Sequence, residues 1–284
     1  EKGFSYLKKM KEWGATTVEI KSGYGLTFKD ELKILRVIKK LSDQRIITVV
    51  PTFLGAHTCP IEYKGKPDDY IKLICNEMIP AVAKENLAVF CDVFIEIGGF
   101  SVRQAEKICE AAQKNALKIR LHVNQFSSLG GIELAKSLKV FSLDHLEGLE
   151  EKEIEALKHL DVTATLLPGV SFFLGSPYAQ ARKLIDNSIR IALASDFNPG
   201  SCMSYNLALM ATIGITQMKM TFSEALAGIT LNGAYSLDLQ NTTGSLAGGK
   251  RADLIILNSN DFRLPFYHFG ENHISKTFSY LDFL

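Results

Sequence analysis

From residue 4 to residue 195 the hydrophobic pattern switches repeatedly between a helical period and a strand period. Residues 4–13 read as a helix and 16–21 as a strand ending at Ser22-Gly23-Tyr24-Gly25. A helix over 28–41 and a strand over 46–53 follow, the strand closing on Gly55-Ala56-His57. Residues 67–86 are largely helical, and 89–97, rich in β-branched and aromatic residues, form the next strand. Ser101-Val102-Arg103-Gln104 spells a capping box, which opens a helix to Ala116. The same alternation predicts strands at 118–123, 140–146, 161–167 and 190–195, with helices at 131–138, 150–160 and 178–187 between them.

Seven strands, each reached through a helix, mean parallel pairing with crossover helices. Several strands are apolar on both faces, as a doubly covered parallel sheet requires. A doubly wound open sheet would also fit, but it usually carries a glycine-rich turn after its first strand. Polar residues fall instead at C-terminal strand ends all along the series, which favours an α/β fold of the (β/α)8 TIM-like barrel type. Such a barrel has eight strands, so one more is expected in front of Glu1. Residues 203–217 and 223–237 read as two further helices, and 252–257 as a strand outside the barrel series, its partners expected elsewhere. The last dozen residues carry no clear pattern. The division expected is a barrel over 1–240 and, over 241–284, a segment of a small β domain.

Composition narrows the function. The 284 residues are 46% hydrophobic and 22% charged, which excludes disorder and allows a large core. Lys+Arg number 32 against 31 Asp+Glu, a net charge of +1 with no basic run, so no nucleic-acid partner is expected. No stretch approaches the ~18–20 uninterrupted apolar residues of a membrane span. The five cysteines, at 59, 75, 91, 109 and 202, are odd in number and form no C-x-x-C. They read as reduced thiols of a cytoplasmic protein, with Cys75, Cys91 and Cys109 in the core.

Candidate chemistry sits at four strand ends: His57, His122 (in Leu121-His122-Val123-Asn124-Gln125), His145 (in Leu143-Asp144-His145-Leu146) and Asp196 (in Ser195-Asp196-Phe197-Asn198-Pro199-Gly200-Ser201). Parallel strand ends converge on one mouth, so these four could share a pocket. Imidazole and carboxylate together suit one divalent metal, Zn or Fe. Lys21, also at a strand end, could form a Schiff base, but an ion pair with Glu19 or Glu96 is the simpler reading. Gly244 to Lys250 spells G-x-x-x-x-G-K, yet Arg251 stands where a P-loop has Ser or Thr, and a strand rather than a helix follows. His159 reads as a helix-end residue, and His268 and His273 as bland tail residues.

At these residues the sequence resembles the metal-dependent amidohydrolase superfamily and, within it, the imidazolonepropionase family. The likeness runs over residues 14–274 and is carried by Lys21-Ser22-Gly23-Tyr24-Gly25, Gly55-Ala56-His57, Phe94-x-Glu96, His122 with Gln125, Asp144-His145-Leu146, Leu167-Pro168-Gly169 and Asp196-Phe197-Asn198-Pro199-Gly200-Ser201. The Gly244-Ser245-Leu246…Ala252-Asp253-Leu254 string is shared across the superfamily and does not choose a substrate. The resemblance implies His122 and Asp196 as metal ligands and His145 as the proton-handling residue. It implies Tyr24, His57, Gln125, Asn198, Gly200 and Ser201 as substrate contacts. Gln125 stands where some relatives have Glu, and it can orient substrate but not act as a base. A His-x-His pair and a substrate-binding arginine of the family are expected before Glu1.

The activity implied is metal-assisted hydrolysis of the cyclic amide of 4-imidazolone-5-propanoate to N-formimidoyl-L-glutamate, in the cytoplasm, by a possible homodimer acting on a small molecule. Two alternatives stay open: another cyclic-amide or amidine hydrolase of the superfamily, such as a hydantoinase or deaminase, or a barrel that binds ligand without turnover. The end of the third strand, Glu96-Ile97-Gly98, lacks the lysine that binuclear members carry, which favours one metal ion.

Overall fold

The computed structural model describes residues 1–284. Seven strands make one sheet whose order follows the chain: β1 (Thr17–Lys21), β2 (Thr48–Ala56), β3 (Phe90–Ile95), β4 (Lys118–Val123), β5 (Val140–His145), β6 (Thr163–Leu166) and β7 (Arg190–Leu193). Pairs β2–β3, β3–β4, β4–β5 and β6–β7 are parallel. A doubly wound sheet reverses direction at its switch point. Here the order never reverses, which is the winding of a (β/α) barrel.

The chain groups into two compact units, Glu1–Val18 with Gln44–Thr48 and Thr163–Leu284, and Glu19–Asp43 with Val49–Val162. In the latter, which we call the central unit, the core is built on β2 to β5. Helix Val102–Lys114 packs on β3 and β4. Its capping box forms as the sequence spells it, and Ala105, Ile108, Cys109 and Ala112 make the buried stripe. The helical stretch over 67–84 contains a π turn at Ile74–Met78. Pro80 has no N–H to offer the Asn76 carbonyl, and a widened turn accommodates that gap.

The other unit, the flanking unit, holds β6, β7 and the helices that follow. Helix Leu207–Met218 is buried on several sides through Met210, Ala211, Ile213 and Gly214. The single helix expected over 223–237 is two helices, Phe222–Ile229 and Leu231–Ser236, because Thr230 leaves helical geometry at φ −126° and ψ −95°. Helix Pro168–Leu174 lies between the strand expected at 161–167 and the helix expected at 178–187.

The strand expected at 252–257 finds its partner within the chain. β8 (Leu254–Leu257) pairs antiparallel with β9 (Ile274–Phe278), inside the tail that had shown no pattern. Lys250 shows what the P-loop-like string is for: its ammonium reaches the Gln240 carbonyl (2.5 Å) and the Ser245 hydroxyl (2.7 Å), tying a turn rather than cradling phosphate. No helix is long and apolar enough to cross a membrane. All five cysteines are free thiols, Cys91, Cys109 and Cys202 buried and Cys59 and Cys75 partly so.

Candidate active site

In the central unit the strand register builds two layers of side chains. Asp92 lies opposite Arg120, and Arg120 opposite Ser142; two residues on, Phe94 lies opposite His122, and His122 opposite Asp144. Alternate residues point to one face, so charged groups embedded in apolar strands meet there. Lys21 is ion-paired to Asp92 (2.5 Å), Asp144 (2.7 Å) and Glu19 (3.6 Å). Arg120 contacts Glu19 (3.1 Å) and both oxygens of Asp144 (3.0 and 3.2 Å), and the Ser142 hydroxyl donates to Asp144 at 2.6 Å. Thr52 donates to Glu19.

Lys21 is therefore an ion-paired lysine, as the simpler reading held, but its partners include Asp92 and Asp144, and Glu96 is not one of those seen. Burial pushes the Asp92 carboxyl up, but the charges of His122 and Lys21 overcome it and bring it down to about 2. Burial likewise opposes ionisation of Asp144, and Arg120 and Lys21 hold it well below the usual carboxylate range. Burial would lower Lys21, yet Asp144, Asp92 and Glu19 raise it above an ordinary lysine. Each charge is held by its neighbours.

Above this network a run of rings crosses the strand ends. Successive ring centroids are 5.4 Å apart for Tyr24–His57, 6.1 Å for His57–Phe94, 6.2 Å for Phe94–His122 and 5.3 Å for His122–His145. The three histidines singled out from the sequence come together with Tyr24. His145 is buried, at φ +85° and followed by Leu146 at φ +71°, with Glu147 3.5 Å from its Nδ1. Left-handed backbone at a bulky residue is strained and is held by its surroundings.

Three buried glutamates fix the loops that carry substrate candidates. Glu31, on helix Phe28–Ser42, accepts from the backbone N–H groups of Gly23 (3.0 Å), Gly25 (2.8 Å) and Leu26 (2.9 Å). A Cβ on Gly25 would stand 2.7 Å from the Asp30 backbone, so only glycine lets loop and helix approach this closely. His57 Nδ1 lies 2.9 Å from the Gly23 carbonyl, which can only accept, so Nδ1 carries the proton. Glu96 accepts from the N–H groups of Ile97 (2.8 Å), Phe126 (2.9 Å) and Ser127 (3.1 Å) and from the Ser127 hydroxyl. Glu153 takes Asn124 Nδ2 (2.9 Å) and the Ser128 hydroxyl (2.8 Å). Half-buried Gln125 thus sits in a loop pinned from both sides.

Asp92, Arg120, Glu31 and Glu153 were not singled out from the sequence. A signal existed for the first two: a charge flanked by apolar residues inside a strand, as in Cys91-Asp92-Val93 and Ile119-Arg120-Leu121.

The flanking unit carries the remaining candidates on one turn after β7. Asn198 Oδ1 accepts from the N–H groups of Gly200 (2.8 Å) and Ser201 (2.9 Å), while its Nδ2 donates to the Asp196 carbonyl (2.7 Å) and the Ser201 hydroxyl (2.9 Å). An isolated bridge joins Asn198 to Cys202. Phe197 packs edge-on against Tyr6 and Tyr205. Asp196, at φ +49°, is only partly buried. Asp196, Asn198, Gly200 and Ser201 therefore share one stretch of backbone.

Two groups of side chains have metal-ligand chemistry: exposed His268 and Glu271 with half-buried His273, and buried Asp92, His122 and Asp144. In the buried group both carboxylates already hold Lys21. The His122 Nδ1 lies 2.9 Å from Asp92, so the ring nitrogen suited to a metal is Nε2.

A parallel sheet wound in one direction, with histidines at the ends of β2, β4 and β5, defines the class: the chain belongs to the amidohydrolase family, whose model matches residues 6–267. Its relatives narrow this further. It is 44% identical to the imidazolonepropionase of Thermoanaerobacter pseudethanolicus over 97% of the chain and 66% of that protein, and 45% identical to that of Christiangramia forsetii over 98% and 68%. The chain thus spans about two thirds of the length of these curated relatives. Among solved structures, a zinc-bound adenosine deaminase from Xanthomonas campestris superposes with a TM-score of 0.73 at 15% identity, covering 97% of this chain and 67% of that one. A guanine deaminase from C. acetobutylicum, with guanine bound, gives 0.69 at 17% identity over 98% and 74%. These likenesses show the same fold.

Proposed function

We propose that the protein hydrolyses the cyclic amide of 4-imidazolone-5-propanoate to N-formimidoyl-L-glutamate, a step of histidine degradation. The observation that carries this is the 45% identity to an imidazolonepropionase along 98% of the chain, a span that includes every motif of the site. The reading takes one divalent ion, zinc or iron. The donor set fits such an ion: His122 offers Nε2 because Asp92 holds Nδ1. Glu96 is committed to Ile97, Phe126 and Ser127, which supports a single ion rather than two.

His122 and Asp196 would hold the ion, each assigned by its own motif. The ion supplies Lewis acidity that brings the pKa of a water toward neutrality. The Asp196 carboxylate accepts the proton of the attacking water. The His145 imidazole then serves the ring carbonyl oxygen and the departing nitrogen as hydrogen-bond and proton donor. Tyr24, His57 and Gln125 orient the imidazolone, and the Asn198 turn presents the Gly200 and Ser201 backbone to substrate and product.

The test is steady-state loss of imidazolone absorbance by the natural protein, with metal content measured on the same sample. His145→Ala should keep its metal and lose roughly 10²–10⁴ in kcat, the usual worth of a general acid–base group. Tyr24→Phe should act mainly on KM. No turnover of imidazolone, with turnover of a hydantoin or an aminopurine instead, would overturn the assignment.

A further inference from the structure

Asp92, His122 and Asp144 bring a carboxylate, an imidazole and a second carboxylate within 4.8 Å of one another, which is the donor chemistry of a divalent-ion site. The place is already taken. The Lys21 ammonium lies 2.5 Å from one carboxylate and 2.7 Å from the other. Arg120 and the Ser142 hydroxyl complete the Asp144 carboxylate. Asp92 is fully buried, on a strand adjacent to that of His122, and its remaining oxygen meets His122 Nδ1 at 2.9 Å. A carboxylate can only accept, so this contact requires a proton on Nδ1, and in the neutral imidazole the lone pair then lies on Nε2.

We propose that Asp92 is the positioning residue that fixes His122 in its Nδ1–H tautomer, and that the Lys21 ammonium fills the inner cation position, so that a metal ion can be taken only at Nε2. A carboxylate that accepts from the far ring nitrogen of a metal-binding histidine works this way in general. What is particular here is that a lysine keeps the inner trio from becoming a competing site. The proposal rests on the reading of His122 as a metal ligand.

The test begins without any variant. In ¹⁵N-histidine-labelled, metal-free protein, long-range ¹H–¹⁵N spectra should show His122 with a protonated Nδ1 and a lone pair on Nε2. The opposite tautomer overturns the proposal. Asp92→Ala should let the tautomers mix, and the near-isosteric Asp92→Asn should keep more of the Nδ1–H form while binding Zn²⁺ about 10–100-fold more weakly. Unchanged Zn²⁺ affinity in both variants overturns the positioning role. Titration with Co²⁺, followed by its visible absorption, should give one ion per chain in the natural protein and an additional one in Lys21→Met. No additional ion in Lys21→Met overturns the role given to the ammonium. His122→Ala tests the underlying assignment separately: metal retained there refutes His122 as a ligand, whatever the tautomer spectra show.

Discussion

The two units hold their candidate residues by different means. In the central unit, Lys21, Asp92, Arg120 and Asp144 form a buried lattice of charges beneath the histidines. In the flanking unit, the turn after β7 is held by the neutral amide of Asn198 and the backbone around it. Buried charges are stable only as a set, because removing one leaves its partner unpaired in low dielectric. Neutral hydrogen bonds fail one at a time, each worth about 1 kcal/mol net. One region should therefore fail abruptly and the other by degrees.

Acid should expose the contrast most strongly. Asp92 titrates at about 2 in the folded state against about 3.9 unfolded, and Asp144 is displaced in the same direction. A depressed carboxylate contributes stability that is complete above its unfolded pKa and is lost as pH falls through the folded one. Stability should thus hold down to about pH 4 and collapse toward pH 2. Amide protection along β3 to β5, corrected for intrinsic exchange, should fall with it, while protection of the Ser201 N–H changes less. Equal loss in both places would erase the distinction.

Arg120→Leu should cost about 3–5 kcal/mol in urea unfolding, because Asp144 and Glu19 lose a buried partner. Glu31→Gln replaces a charged acceptor of several N–H groups and should cost about 2–3 kcal/mol, with faster exchange at Gly25 and Leu26. Asn198→Ala should be mildest, about 1–2 kcal/mol, with its effect confined to exchange at Gly200 and Ser201. A reversal of that order would show that the neutral turn, and not the charge lattice, is the cooperative element.

The histidines were legible in the sequence because each closes a strand, and strand ends follow from hydrophobic period alone. The capping box at Ser101 shows how far local spelling reaches. The charge lattice was legible only in part, since its pairings depend on register between strands far apart in sequence: Lys21 meets Asp92 and Asp144 across three separate strands. Glu31 reads in sequence as one more polar position near the start of an amphipathic helix, and only the return of the Gly23–Leu26 backbone over that helix reveals its role. β9 escaped notice because its residues are half exposed and alternate weakly, so its strand character comes from pairing with β8.

The Glu31 anchor has a consequence for how such a site can change. It fixes the backbone on both sides of Tyr24 through Gly23, Gly25 and Leu26, while the Tyr24 side chain stays largely solvent-exposed. The conformation of the loop is therefore specified by neighbours and not by the tyrosine itself. Position 24 is a socket: mutation can try different side chains there with little penalty to folding, and the backbone will present each at the same place. On the proposed reading of Tyr24 as a substrate contact, substrate preference can drift at that residue while the scaffold around it stays still.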